Sequence, residues 1–66
     1  MTDDDIWLTK AADVTVGDTI TTLFSDTGEA RVVALCRVEG RIMAELDNGR
    51  STYLGGDDDI VEVVQR

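Results

Sequence analysis

The chain has 66 residues, with 14 acidic and 6 basic side chains for a net charge of −8, one cysteine and no histidine. That length accommodates one small domain burying only about 60% of its unfolded surface, while the cysteine and histidine counts exclude an internal disulfide and argue against structural zinc. An apolar content of 42% is too high for a disordered chain, no apolar run approaches the ~20 residues of a bilayer span, and lack of histidine removes the commonest general base, so the protein is expected not to be an enzyme.

Residues 1–66 are read as one domain, with 1–5, "MTDDD", as a flexible acidic N-terminus. The start is acidic where a signal peptide is basic, and a lone cysteine suits a reducing compartment, so a cytoplasmic location is expected. Five arginines against one lysine hint at a phage or bacterial source. The next stretch, through "IWLTKAAD", has two readings: a helix capped by Thr2, or a strand over Ile6 to Thr9 followed by one turn through Lys10–Asp13. The strand is favoured, because no apolar stripe at helical spacing continues past Ala12.

"VTVGDTI" follows, and its Gly17-Asp18 pair is read as structural. Gly17 can take a backbone conformation that other residues resist, and the Asp18 carboxylate can accept a nearby backbone N–H, so together they redirect the chain into "TITTLF". Gly28 in "FSDTGEAR" then marks a turn. "ARVVALCRV" is apolar on both faces at its middle, which predicts the most central strand and places Cys36 in the core rather than as a nucleophile. Gly40 in "VEGR" predicts a two-residue hairpin or a glycine bulge. In "RIMAELD" strict alternation puts Ile42, Ala44 and Leu46 on the inward face. Asn48-Gly49 tolerates the positive φ angles of a type I′ turn and is the strongest local turn signal in the chain. After "STYL" the run "GGDDD" breaks regularity, and "IVEVV" closes the chain as a last strand. Three successive hairpins make a meander.

This order of turns and strands over residues 13–64 resembles the SH3-like barrels of the KOW and Tudor type. The resemblance implies an all-β fold: one small barrel of five or six antiparallel strands, with short helical turns near 10–13 and 56–59. Such domains bind methylated side chains in aromatic cages or bind RNA through basic loops, and neither device carries over well. The chain has only three aromatic residues, Trp7, Phe24 and Tyr53, of which the core is expected to take at least one, Trp7 first. Charge is distributed unhelpfully for nucleic acid: residues 1–28 hold six acids and Lys10 alone, 29–50 balance four acids with Arg31, Arg37, Arg41 and Arg50, and 51–66 hold four acids and one arginine. Direct nucleic-acid binding is therefore not expected, unless those four arginines converge on one face.

The functional expectation is a non-catalytic protein–protein interaction module or small adaptor with no cofactor and no membrane. Its partner is a protein, and its binding residues are expected at Trp7, Tyr53, Asp57, Asp58 and Asp59. Gly17, Asp18, Gly28, Gly40, Asn48 and Gly49 are assigned structural roles. The alternative is a nucleic-acid mimic whose carboxylates occupy the basic groove of a DNA- or RNA-binding protein. The Asp3–Asp5 and Asp57–Asp59 runs otherwise read as solubilising surface, with a weak Ca²⁺ site at Asp57–Asp59 as the sharper option. Exposed strand edges also leave homo-oligomer formation open.

Overall fold

A computed structural model describes residues 6–65; the stretch read as an acidic N-terminus, 1–5, lies outside the described residues. Six strands follow in chain order: β1 (Trp7–Lys10), β2 (Thr19–Thr21), β3 (Glu29–Val38), β4 (Arg41–Leu46), β5 (Ser51–Gly55) and β6 (Ile60–Gln65). They form one sheet in the order β1-β6-β2-β3-β4-β5, with every neighbouring pair antiparallel. The expected meander runs from β2 to β5, β6 returns to pair with β2, and β1 lies outside β6. The strand reading of the N-terminal stretch holds, followed by a single 3-10 turn at Ala11–Asp13. Near 56–59 there is no helix. Asp59 N–H donates to Gly56 O at 3.1 Å, an isolated hydrogen-bonded turn.

With only a 3-10 turn beside the strands among the described residues, the sheet has to bury its apolar face with its own side chains, and the core draws on nearly every strand. It comprises Ile20 from β2, Ala30 and Val32 from β3, Ile42, Ala44 and Leu46 from β4, and Val61 and Val63 from β6, capped by Ala11 and Val14. The inward face expected for "RIMAELD" is the one observed. β3 is central, pairing with β2 on one side and β4 on the other. Its alternation breaks at a register shift between Val32 and Ala34. Ala30 and Val32 point inward before the shift, and Leu35 packs on the core opposite Ala44 after it. The extra residue moves the inward set from even to odd positions. Cys36, expected in the core, is therefore turned out opposite Met43 and is exposed.

None of the three aromatic side chains belongs to the core either. Trp7 sits opposite Val63, on the side of the sheet that faces the core, but β1 is an edge strand and the side chain stays 40% exposed. Phe24 and Tyr53 are more exposed still. The core is built from small and β-branched residues instead, which pack well on a pleated surface.

The opening of β2 follows the sequence closely. Gly17 has φ +102°, and the buried Asp18 carboxylate accepts the Thr15 backbone N–H at 3.0 Å. Its own backbone ties the turn to β3, since Val32 N–H donates to Asp18 O and Gly17 N–H to Val32 O. Of the two hairpin signals, the two-residue hairpin expected at Gly40 is present, whereas the type I′ turn expected at Asn48-Gly49 is not. Glu39 (φ 51°) and Gly40 (φ 79°) both lie in the left-handed region, with Val38 opposite Arg41, so the type I′ geometry is here. Asn48 is not in that region, while Gly49 is. The 47–50 connection closes through Gly49 N–H to Leu46 O and Leu46 N–H to Arg50 O, a longer turn with a single left-handed glycine. Asn48 serves it through its side chain: Oδ1 accepts the Arg50 N–H and Nδ2 donates to Phe24 O.

Candidate interaction surface

β5 pairs with β4 alone, which leaves its other edge free. Leu46 N–H bonds Arg50 O, and the register continues with Ala44 opposite Thr52. By the alternation of antiparallel ladders, Thr52 then directs its backbone groups at β4, and Ser51 and Tyr53 direct theirs at the free edge. β5 itself contains no charged residue or proline, and among the described residues no helix covers this edge; what limits it is the strand's five-residue length and the register shift against β4 between Tyr53 and Gly55.

A groove of about 440 Å³ runs along it. One wall is Thr52, Tyr53 and Leu54; the other is Ile20–Phe24 and Ile60–Glu62. Consecutive strand residues point to opposite faces, so contact with three in a row of β5 places the groove against the strand's edge. At ~30 Å³ per water it is a wet, open cleft. Its rim carries Leu23, 99% exposed, with Phe24, Tyr53 and Ile60 each about half exposed. Leu23, Phe24, Tyr53 and Ile60 thus bring exposed apolar surface to one groove. Among the described residues Glu62 is the one charged residue lining the groove, and its carboxylate accepts the Thr21 hydroxyl at 3.1 Å.

Of the residues expected to bind, the structure brings only Tyr53 to this groove. Trp7 is on β1 and does not line it. Asp57, Asp58 and Asp59 point to three separate places, as consecutive residues must. Asp57 pairs with Arg37 Nη1 at 2.7 Å, Asp58 with Lys10 Nζ at 3.6 Å, and Asp59 accepts the Gly56 N–H at 2.7 Å. Their backbone carbonyls hold the 3-10 turn, through Ala11 N–H to Asp59 O and Ala12 N–H to Asp57 O. This segment braces the β5–β6 connection against β1 and β3. Among the described residues no group of three His, Cys, Asp or Glu side chains is placed to hold a metal ion, and no helix is long and apolar enough to cross a membrane.

The four arginines have different surroundings: Arg31 stands opposite Thr19, Arg37 stands opposite the buried Ile42 and reaches Asp57, Arg41 lies over the Tyr53 ring at 6.0 Å, and Arg50 lines a pocket with Phe24 and Asn48. Reading the sequence missed Leu23, Phe24 and Ile60 as surface anchors. "TITTLF" looks like strand, but β2 stops at Thr21, because the Thr22 and Ser25 hydroxyls take backbone N–H groups of the loop and divert it from the ladder. The signal available was an apolar pair, Leu23-Phe24, directly before the turn residues Ser25 to Gly28. No family model, curated protein or solved structure matches this chain.

Proposed function

We propose that the protein is a non-catalytic interaction module built on an SH3-like barrel, and that it captures an extended segment of a partner protein along β5. Support for the barrel comes from the four-strand meander, the turn that sets β6 apart and the return of β6 to the first strand of the meander. The observation that carries the binding reading is the edge of β5 that pairs with no other described strand and opens on a groove rimmed by Leu23, Phe24, Tyr53 and Ile60. Strand addition draws its affinity from main-chain hydrogen bonds to such an edge and its selectivity from alternate side chains seated in the adjoining groove. Exposed aromatic anchors supply the remainder.

The test is partner retention from a lysate of the source cell on the immobilised protein, washed at low and then high salt. Retention through the high-salt wash that is lost on Tyr53→Ala and on Leu23→Ser, with melting temperatures unchanged, is the expected result. Retention unaffected by either substitution refutes the reading. Nucleic-acid mimicry gains nothing from the Asp57–Asp59 run, because one carboxylate caps its own turn and two have basic partners.

A further inference from the structure

The chemistry of the captured segment can be taken a step further, on the assumption that the β5 groove is the binding site. We infer that Glu62 selects a segment that is apolar at alternate positions and carries an arginine or lysine where it crosses the β6 wall. Ser51 and Tyr53 present backbone groups to the free edge, so a strand laid there alternates its side chains between the outer face, beside Tyr53, and the groove floor, beside Leu54, Ile20 and Val61. The floor is apolar and the threonines Thr21, Thr22 and Thr52 are small, which suits β-branched side chains. Glu62 is the single charge in this wall, and Thr21 occupies only one of its oxygens, Oε1, leaving Oε2 open to a cation. Glu29, opposite Thr21 on the far side of β2, adds a second negative charge to the same row of the sheet. The nearby bases lie elsewhere: Arg41 over the outer face of Tyr53, and Arg50 beyond Phe24 near Asp26. A second copy would lay its own uncharged β5, STYLG, along the wall and offer no cation to Glu62, so the fitting occupant is a basic segment of another protein.

The probe is a synthetic peptide of alternating valine and threonine matched to the five residues of β5, with an arginine at each end, titrated against the isotope-labelled full chain by NMR. A control peptide carries glutamine at both ends. Backbone amides of Ser51–Leu54 and of Leu23 and Phe24 are expected to shift with the arginine peptide. Replacing arginine by glutamine, or Glu62→Gln, which keeps an acceptor for Thr21, is expected to weaken binding roughly two- to fivefold, the range of an exposed ion pair, and salt is expected to remove that difference. Equal binding of both peptides at β5 overturns the role of Glu62 while leaving strand capture standing. If neither peptide shifts the β5 amides, strand capture itself fails. Shifts at β5 that depend on protein concentration alone make the occupant a second copy and also overturn the proposal.

Discussion

Two glycines with similar backbone geometry and different surroundings give the most exacting test of the fold. Gly17 has φ +102° and Gly55 has φ +109°; a Cβ added at Gly17 meets nothing within 4 Å, whereas at Gly55 it falls 2.3 Å from Asp59 Oδ2 and 2.8 Å from Asp59 Cβ. Alanine at either position carries the cost of a left-handed backbone, about 1–2 kcal/mol. At Gly55 the overlap adds an overpacking term of roughly 1–3 kcal/mol, and turning Asp59 away breaks its bond to the Gly56 N–H, worth about 1 kcal/mol. Gly55→Ala should therefore cost about 3–6 kcal/mol, against a total stability of roughly 3–10 kcal/mol for a chain of this size. Gly17→Ala should lower the melting temperature by roughly 5–15 °C, at 4–8 °C per kcal/mol, while Gly55→Ala comes close to unfolding the domain at room temperature. Urea titrations followed by the fluorescence of Trp7, the single tryptophan, measure both. The third arm is Gly55→Ala in an Asp59→Gly background, which removes the three nearest overlapping atoms, Asp59 Oδ2, Cβ and Cγ, and should bring the cost back to the Gly17 value. Equal midpoints for the two single variants, or no recovery in the double, would refute the assigned overlap.

Other expectations can be checked on the same material. Asp18→Ala strips the Thr15 N–H of its acceptor in a buried turn and should cost about 1–3 kcal/mol, while Asp18→Asn, which retains an oxygen there, should cost less; thermal melts compare them. Cys36 should react fully with an aromatic disulfide reagent in the native state at the rate of an exposed thiol, and a reaction limited by unfolding would contradict the bulge at Val32–Ala34. Arg37→Ala should lower stability by less than about 1 kcal/mol despite its 2.7 Å contact with Asp57, since both side chains are more than half exposed and solvent screens the pair. Asn48→Ala should speed hydrogen exchange in the loop around Phe24, whose carbonyl it holds at 2.8 Å, with little change at Glu39-Gly40.

What the sequence by itself determined is local. Alternation in "RIMAELD" set the buried face of β4, because strand side chains have a period of two whatever the sheet around them. Gly17-Asp18 made its turn through a backbone freedom and a carboxylate that both lie within four residues of Thr15. The hairpin positions followed from Gly28, Gly40 and Gly49 for the same reason. Tertiary structure decided what depends on distant partners. It moved Cys36 outward, because a bulge opposite β4 shifted which residues of β3 face the core. It kept Trp7 and Tyr53 out of the core, because β1 and β5 became the edges of the sheet and small and β-branched residues filled the interior. It also assembled the groove by bringing β2 and its following loop to the much later β5 and β6, and bound the Asp57–Asp59 turn to Lys10 and Arg37. Spacing along a sequence encodes the period of a strand and the chemistry of a turn, whereas edge position and register are set only when strands meet.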